Sequence, residues 1–558
     1  MRYGCSFTLI ALSWAASKPS ITLSSVKESG FPKRKKWCSL LGRASGATQK
    51  RRSLKSVIVI GGGLAGLAAG VALADSGWRV RLFEQRPFLG GRATSYVLPD
   101  GEHVDNCQHV TFGCCTNLED FYRRVGCADK IKFFDRLLLL DPQGRIGQFQ
   151  AGFLPAPFHI LGSFASFSPL SLWDKLSIGR AMLDILRYQG KPPDVQEVAG
   201  ISMLEWLRRR GQTQGAINRF WRVVLVSALS EELERIDARY GVDVFWKTVL
   251  SNRTGYRMGV PSIPLAELYD GCKTEIERRG GEVLLRSSVR GLKMENGQLA
   301  GVRFDEAREE SADAYIFALP HTALAELLPE SVKQSDPGLA NLDKIKVSPI
   351  TGVHFWFDRT VMDEPFLTLL DTTTQWIFNK TLLYEEPSSD LDPVAAGLPR
   401  RPLSTSSPAP SNAPPQPVGA HQYLQLVISA SYDLLQKSRQ EIIDLCLAEV
   451  RQALPKARQA ELLKATVIKE AAATFSPEPG VDRWRPKQET SIPGLFLAGD
   501  WTQTGWPATM EGAVRSGYLA AEALLRAHGT PRTFLQLDLA PDGFIQMWLG
   551  KQGSEGTR

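Results

Sequence analysis

The sequence predicts an α/β protein in which a doubly wound parallel sheet is assembled from separate parts of the chain. Two apolar runs near opposite ends of the sequence, VIVI at 57–60 and LFLA at 495–498, are each followed directly by glycine. Short apolar or β-branched runs of this kind are typical of buried parallel strands. The intervening chain is mainly helical in pattern over 116–249 and strand-like at 347–358 and 422–430, which predicts a second, α+β domain interleaved with the first.

The first glycine-rich turn has the spacing of a dinucleotide-binding site. The sequence GGGLAG follows the first strand and satisfies the pattern GxGxxG. Gly61 permits a tight turn, Gly63 lets the backbone approach a pyrophosphate, and Gly66 lets the next helix pack closely on the strand. The following strand ends at Glu84, whose carboxylate can accept hydrogen bonds from ribose hydroxyls. This order predicts a Rossmann-like nucleotide site, but it does not separate FAD from NAD.

Two further segments resemble the flavin amine oxidase and carotenoid desaturase superfamily. Leu89-Gly90-Gly91-Arg92 is similar to its Gly-Gly-Arg signature. The resemblance implies that the two glycines approach the flavin side of the cofactor and that Arg92 helps to hold the phosphates. Near the other end, Gly499-Asp500 follows the second apolar run, and a helix is expected from Met510. In the superfamily that carboxylate meets ribityl or pyrophosphate hydroxyls, and the helix N-terminus faces the flavin.

The resemblance therefore implies FAD as the cofactor. Covalent attachment is not expected, because AAATF at 471–475 has no cysteine for it. Backbone near Val289 is expected to meet the adenine. No zinc-type spacing of Cys and His is present, so no metal site is predicted. The predicted cofactor-binding residues are Gly61, Gly63, Leu64, Ala65, Gly66, Glu84, Arg86, Gly91, Arg92, Val289, Gly499, Asp500 and Met510.

The domain boundaries follow from where these segments lie. The FAD-binding domain is expected over 54–115, 250–320 and 465–532, and an α+β substrate domain of the amine oxidase type over 116–249 and 321–464. Residues 1–53 are expected to be a disordered or spurious extension, 386–420 a disordered insertion and 533–558 a C-terminal tail. The insertion is rich in Pro, Ser and Ala and has no hydrophobic period, so it cannot bury enough apolar surface to offset its ordering entropy.

The positive net charge of the chain, +7, comes entirely from its N-terminal part. Residues 1–55 carry twelve Lys and Arg and one acid, a balance of +11, which leaves −4 for the remainder. A nucleic-acid-binding face on the folded part is therefore not expected. No apolar run reaches the roughly 18 residues that a membrane-spanning helix needs. The expected location is cytoplasmic and peripheral on the inner membrane.

An aromatic-rich stretch over 149–187 allows two interpretations. Its Phe and Trp side chains stand among Leu, Ile and several prolines. They can form core helices of the substrate domain. They can instead form an exposed patch that docks on a membrane and admits a lipid, since aromatic and apolar residues suit an interfacial surface.

Several departures argue against an amine oxidase. Thr351 stands where amine oxidases carry a lysine near the flavin, and Thr509 stands where they carry a cage aromatic. The stretches at 104–126, 220–241 and 504–524 instead resemble the bacterial hydroxysqualene dehydroxylases. That resemblance implies reductive loss of an allylic hydroxyl from hydroxysqualene, which gives squalene for hopanoid or related triterpene synthesis.

This reaction needs a proton donor for the leaving oxygen, a long apolar cavity for an isoprenoid and exclusion of water. Asp105 and His109 are the candidate donors, and the alternative is that Asp105 and Gln108 only cap a turn against the isoalloxazine ring. A carotenoid or phytoene desaturase, with the opposite redox direction, is the main alternative. An amine oxidase and a non-catalytic flavin-binding scaffold are the others. The sequence shows no second nucleotide motif, so the electron donor is left open.

Overall fold

The computed structural model describes residues 54–188, 198, 200–304, 308–384 and 421–555. The predicted N-terminal extension and the predicted insertion at 386–420 lie outside these residues. The described strands are β1 (Ser56–Ile60), β2 (Arg79–Phe83), β3 (Ser95–Val97), β4 (His103–Asp105), β5 (Thr111–Phe112), β6 (Ile131–Phe134), β7 (Arg136–Leu140), β8 (Ile146–Gln150), β9 (Met258–Pro261), β10 (Glu282–Leu284), β11 (Gly291–Glu295), β12 (Gln298–Arg303), β13 (Glu309–Glu310), β14 (Ala314–Phe317), β15 (Val347–Phe357), β16 (Phe366–Leu369), β17 (Trp376–Asn379), β18 (Gln422–Ser429), β19 (Leu462–Phe475) and β20 (Leu495–Leu497).

The described helices surround these strands, with short 3₁₀ and π turns between them. They are α1 (Leu64–Asp75), α2 (Thr116–Arg124), α3 (Leu161–Ser166), α4 (Leu172–Tyr188), α5 (Met203–Arg209), α6 (Gln214–Ala216), α7 (Arg222–Leu229), α8 (Ala238–Phe245), α9 (Asp270–Arg278), α10 (His321–Leu327), α11 (Glu330–Gln334), α12 (Lys380–Tyr384), α13 (Arg439–Ala453), α14 (Met510–Ala527) and α15 (Gly543–Glu555).

A five-stranded parallel sheet has the order β10-β2-β1-β14-β20. Its central strand β1 is almost completely buried, as its unbroken apolar sequence requires. Ile60 aligns with Phe83 on one side and with Phe317 on the other, and Phe317 aligns with Leu497. The carboxyl ends of these four strands therefore meet at one edge, where ligands bind in open α/β sheets. The predicted α/β fold with a discontinuous Rossmann-like sheet is confirmed.

A seven-stranded mixed sheet has the order β19-β15-β18-β17-β16-β7-β8. The strand-like patterns predicted around 347–358 and 422–430 are its central strands β15 and β18. Two features differ from the sequence expectation. Residues 465–475, assigned to the cofactor domain, belong to β19, because this long strand pairs with β15 along nearly its whole length. Residues 131–150, in a stretch expected to be mainly helical, form three strands.

Helices α1 and α14 pack against each other next to the parallel sheet. A Cβ on Gly517 of α14 would overlap the carbonyl oxygen of Ala65 in α1. Only glycine therefore allows this approach, and no other side chain can be accommodated there without moving a backbone. The contact fixes the C-terminal helix directly beside the glycine-rich turn.

The aromatic stretch at 149–187 divides between the core and the surface. Phe149 and Phe164 pack with Phe220 in a buried cluster, whereas Phe153 is 88% exposed and Trp173 is 74% exposed. The predicted C-terminal tail also contributes, because α15 packs on this segment through Phe544 and Phe158, with ring centroids 5.9 Å apart. The exposed large apolar side chains of these two segments, together called the exposed apolar face, are Phe153, Leu154, Phe158, Leu161, Leu172, Trp173, Leu176, Leu183, Phe544, Met547 and Trp548. Among the described residues, no helix is long and apolar enough to cross a membrane.

Candidate functional site

A cavity of about 600 Å³ lies at the carboxyl edge of the parallel sheet. This cofactor cavity is where the predicted nucleotide-binding segments come together. The predicted residues that line it are Gly61, Gly63, Leu64, Ala65, Glu84, Arg86, Gly91, Arg92, His109, Val289, Gly499, Asp500 and Met510. Val289 lies between β10 and β11 rather than at the end of a strand. Gly66 and Asp105 do not line the cavity. Gly66 packs α1 against the glycine-rich turn, and Asp105 lies in a buried ion pair.

The glycine-rich turn is held by contacts that exclude side chains. Gly61 has φ of 108°, in the region that favours glycine, and a Cβ there would overlap the carbonyl oxygen of Ala318. A Cβ on Gly66 would overlap the carbonyl oxygen of Gly61. Gly66 therefore packs the helix on the turn, as its spacing predicts. At Gly63 the nearest protein atom to a Cβ is 3.8 Å away, so the space in front of Gly63 belongs to the cavity.

The acid at the end of β2 has a second role in the structure. Glu84 accepts hydrogen bonds from the backbone N–H of Gly62 at 2.7 Å and of Arg86 at 2.8 Å. Each carboxylate oxygen has a further lone pair, so these bonds leave acceptor sites for ribose hydroxyls. Arg86 donates to the carbonyl oxygen of Gly91 at 3.0 Å. Glu84 and Arg86 thus tie the two glycine-rich segments together on one side of the cavity.

The predicted phosphate-binding arginine is paired with the predicted carboxylate. The guanidinium of Arg92 donates to Asp500 at 2.7 Å and to the carbonyl oxygen of Ala473 at 2.6 Å. Asp500 is buried and Arg92 is about one-third exposed towards the cavity. The ion pair links a segment near residue 90 to one near residue 500. Its members are brought together as the sequence motifs predict.

A buried arginine that the sequence reasoning missed organises the loop after Asp500. Nη2 of Arg485 donates to the carbonyl oxygens of Asp500 at 3.0 Å, Thr502 at 2.5 Å and Trp506 at 2.9 Å. Nη1 donates to the hydroxyl of Tyr240 at 2.6 Å. The fork of guanidinium donors fits several backbone acceptors at once. One side chain therefore fixes the loop between Asp500 and α14.

The N-terminus of α14 completes the cavity wall. Thr509 caps the helix by accepting from the N–H of Gly512 at 3.0 Å, and it lines the cavity together with Met510. The positive end of this 18-residue helix is thereby presented to a ligand. Asn106 Oδ1 and Thr474 Oγ1 also face buried surroundings there and lack hydrogen-bond partners among the described residues. The glycine surfaces, helix ends and spare polar atoms together fit a dinucleotide.

A second cavity of about 290 Å³ adjoins the first and is lined mostly by apolar side chains. Its walls come from the helices around 219–249 and from β7, β17 and β18. Thr509, predicted at the site where amine oxidases have a cage aromatic, lies at the junction of the two cavities. The residues shared by both walls are Gln108, Val110, Ser227, Ala228, Val427, Ser429, Thr509 and Met510. An apolar ligand in this cavity would meet a cofactor in the first one at this junction.

A larger, solvent-open cleft of about 1060 Å³ lies beyond Ser429. Its walls carry charged side chains of both signs, including Arg222, Glu232 and Asp371. None of the predicted cofactor-binding residues lines it. The cofactor cavity and the apolar cavity are therefore the candidate site.

The structure places Asp105 behind the cavity wall in a buried ion pair. Oδ2 of Asp105 lies 2.7 Å from Nζ of Lys380 and accepts from the hydroxyl of Tyr384 at 2.6 Å. Oδ1 accepts from Ser95 at 2.7 Å. Burial alone would raise the pKa of Asp105, but Lys380 and these hydrogen bonds outweigh burial and hold the pKa below its usual value. An ionised carboxylate outside the cavity cannot donate a proton to a ligand, so this geometry argues against the predicted donor role.

His109 lines the cofactor cavity, but Nδ1 of its ring already makes a hydrogen bond within the protein. Nδ1 lies 2.9 Å from the carbonyl oxygen of Cys107, so Nδ1 carries the proton that is donated to this oxygen. Burial lowers the pKa of His109, which makes the imidazole neutral at pH 7. A neutral ring in this tautomer presents Nε2 as an acceptor. It is therefore arranged as a hydrogen-bond acceptor rather than as a cationic acid.

Thr351, which the sequence comparison places where amine oxidases carry a lysine, does not line the cofactor cavity. Thr351 is buried on the opposite face of β15, where its hydroxyl lies 2.8 Å from that of Ser431. Ile350 lines the cofactor cavity instead, because successive side chains of a strand point to opposite faces. The cavity-facing residue is thus apolar.

A profile described as "Flavin containing amine oxidoreductase" matches residues 64–525. Among curated proteins, the zeta-carotene desaturase of Synechocystis is 29% identical over 484 residues, covering 84% of this chain and 97% of that protein. The 15-cis-phytoene desaturase of Synechococcus elongatus is 24% identical over 489 residues, covering 84% and 95%.

Solved structures agree on the fold. An oxidoreductase from Methanosarcina mazei superposes with a TM-score of 0.60 at 18% identity, over 84% of this chain and 100% of that one. The cyclohexylamine oxidase of Brevibacterium oxydans superposes with a TM-score of 0.58 at 15% identity, over 85% and 99%. At such low identities these similarities establish the fold alone.

One sequence prediction is overturned by these relatives. The expected function was reductive dehydroxylation of hydroxysqualene, yet the curated relatives named above are zeta-carotene and phytoene desaturases. The prediction of a hydroxysqualene dehydroxylase, with its squalene and hopanoid context, is therefore wrong. The desaturase, kept as the main alternative, agrees with the relatives.

Proposed function

The chain belongs to the flavin containing amine oxidoreductase family, and from this premise we propose that it is an FAD-dependent desaturase of long, apolar polyene isoprenoids. The observation that carries the proposal is the apolar cavity that meets the cofactor cavity at a shared wall. The similarity to zeta-carotene and phytoene desaturases over 84% of the chain supports the same substrate class.

The chain's own residues would bind and orient the two partners. The glycine turn, Glu84, Arg92 and Asp500 would hold FAD, and the N-terminus of α14 would stabilise negative charge on it. Bound FAD would supply a two-electron acceptor: a single bond between two CH₂ carbons would become a double bond as one carbon gives a hydride, and the other a proton, to the cofactor. Apolar walls around the bond exclude water and keep the substrate in place. The polypeptide provides no second nucleotide motif, so an external electron acceptor would restore the oxidised cofactor.

The test is an anaerobic mixture of the FAD-loaded protein with phytoene or zeta-carotene in lipid vesicles. We expect the flavin absorption to bleach and the polyene absorption to shift to longer wavelength, because each new double bond extends the conjugation. Chromatography would identify the product. Putrescine and cyclohexylamine serve as matched substrates of the amine type, and neither should bleach the flavin. Bleaching by an amine but not by either polyene would contradict the proposal.

We also propose that the exposed apolar face docks on a lipid surface, from which such a substrate would be taken. Two observations support this partner. Helix α4 carries Leu172, Leu176 and Leu183 on its exposed side together with the basic Arg180 and Arg187, a combination typical of interfacial helices. Ile160, in the same apolar segment, lines the apolar cavity. A cavity of about 290 Å³ is small for a long polyene, whose remaining length would extend towards this face.

Replacing both Phe153 and Trp173 by Asp should weaken binding to anionic vesicles by at least about 100-fold, because burying each exposed aromatic side chain in the lipid contributes about 1.5–3 kcal/mol to binding. Flotation of the protein with vesicles on a density gradient measures this. Leu463→Asp is the control, since Leu463 is exposed on β19, at the opposite edge of the mixed sheet. Equal flotation of the double variant and the control would contradict a lipid-docking role.

A further inference from the structure

A lysine without any exposed surface lies behind the wall between the two cavities. Lys380 begins α12, and its side chain is 0% exposed. Its ammonium donates to Asp105 Oδ2 at 2.7 Å and to Gln108 Oε1 at 2.8 Å, and it lies 4.0 Å from the ring centroid of Tyr384. Two of its donors therefore have defined acceptors and the aromatic face covers the ammonium.

Gln108 is the member of this group that reaches the site. It lines both the cofactor cavity and the apolar cavity. Because Lys380 can only donate, it binds the amide oxygen of Gln108 and thereby fixes which end of the amide is which. Nε2 of Gln108 donates to the carbonyl oxygen of His109 at 3.0 Å. The amide is thus held at both ends, and its second N–H remains for a group at the junction.

The ion pair is not explained by stability alone. Taking a lysine and an aspartate out of water costs about as much as their attraction returns, so an apolar pair of similar size would stabilise the fold at least as well. Asp105 is held in turn by Ser95, Tyr384 and the N–H of Leu265, so its position is over-determined. The rigidly held ammonium of Lys380 lies beside the Gln108 amide, which lines the site, and can therefore fix the orientation of that amide.

We propose that Lys380, held by Asp105, is a positioning residue that orients the Gln108 amide at the junction where the reacting carbons of the substrate meet FAD. The effect that we expect on activity rests on the function proposed above. A second readout depends only on the bound cofactor. The visible circular dichroism of bound flavin responds to the groups packed around it, so it reports the junction without any substrate.

The experiment is a mutant cycle of three proteins. They are the pair variant, in which Asp105→Asn and Lys380→Met are combined, the single variant Gln108→Met, and the triple variant that carries all three substitutions. Removing both charges avoids a buried aspartate without its partner. If Lys380 acts through Gln108, the pair variant and Gln108→Met each lower kcat by about 10- to 100-fold with a smaller change in KM, and they alter the same flavin dichroism bands. In the triple variant the pair substitution then adds nothing further. Lys380→Arg, which keeps the charge but changes the reach, takes the same place in the cycle if the pair variant does not fold.

The control is the double variant Asp141→Asn/Arg145→Met, which removes a buried aspartate and its cation at the turn between β7 and β8, where neither residue lines either cavity. It should leave the flavin bands unchanged. Independent, additive effects of the Lys380 pair and Gln108 on the dichroism would overturn the proposal, as would unchanged bands in the pair variant. A wild-type protein that desaturates no polyene would refute the proposed function, while the dichroism cycle would still decide the role of Lys380.

Discussion

Replacing Arg485 by Met is expected to lower the free energy of unfolding by at least about 3 kcal/mol and to remove most of the bound FAD. The guanidinium is the donor to the carbonyl oxygens of Asp500, Trp501 and Thr502 in a buried loop. Each buried acceptor left without a donor costs about 1–3 kcal/mol. The same loop carries Asp500 to its partner Arg92, so a loosened loop also loosens the cofactor site. Chemical denaturation and the flavin absorption of purified protein measure the two effects.

Arg483→Met is the matched control for this prediction. Arg483 is exposed two residues before Arg485, and it packs on Trp484 with its guanidinium 4.8 Å from the ring centroid. Loss of an exposed contact of this kind changes stability by about 0.5 kcal/mol or less. An Arg485→Met protein with the stability and FAD content of the Arg483→Met protein would show that the loop holds its shape without the guanidinium.

Replacing Gly63 by Val is expected to abolish most FAD binding while the polypeptide keeps its stability. Gly63 has φ of −75° and ψ of 173°, which any residue adopts, and the nearest protein atom to a Cβ is 3.8 Å away. A Cβ at this position therefore meets no close protein atom, and the valine methyl groups would occupy the space through which a pyrophosphate approaches the backbone. Overpacking of about 1–3 kcal/mol corresponds to about 10- to 100-fold weaker binding. Titration of the apoprotein with FAD, followed by flavin fluorescence, measures the affinity.

Gly179→Val is the control, because Gly179 lies on α4 with no atom within 4 Å of a Cβ. It should bind FAD like the wild type. The thermal midpoints of both apoproteins should stay close to that of the wild type. A Gly63→Val protein that binds FAD with unchanged affinity would mean that the cofactor does not approach this turn.

The parallel sheet and most of its cofactor residues could be predicted because their causes are local. A Cβ on Gly66 would overlap the carbonyl oxygen of Gly61, and a Cβ on Gly61 would overlap that of Ala318, which directly follows strand β14. The pattern GxGxxG contains both glycines within six residues. The sheet assignment of residues 465–475 could not be read in this way. Their Ala-rich sequence has no strict alternation, and its strand character comes from pairing with β15.

The wall of the site was harder to predict because its key groups come from distant parts of the chain. Lys380 meets Asp105 and Gln108 across about 270 residues of sequence, and a lysine that is destined for burial looks like any other lysine in a sequence. Arg485 likewise stands among charged residues that are exposed. Which side chains of β15 face the cavity was hard to predict for a different reason, since a strand reverses the face of every residue when its register shifts by one. Only the pairing of β15 with its neighbours fixes that register.

The order of strands in the parallel sheet has a consequence for synthesis of the protein on the ribosome. Strand β1 is made first, but one of the sheet's edges, β20, and the helix α14 that closes the cavity come from residues 495–527. A nascent chain therefore cannot form a complete FAD site until almost all of it has been translated. Until then, the edges of its early strands lack neighbouring strands with which to pair. Truncated chains that end before Asp500 are expected to be colourless, and the yellow of bound flavin becomes a marker of complete translation.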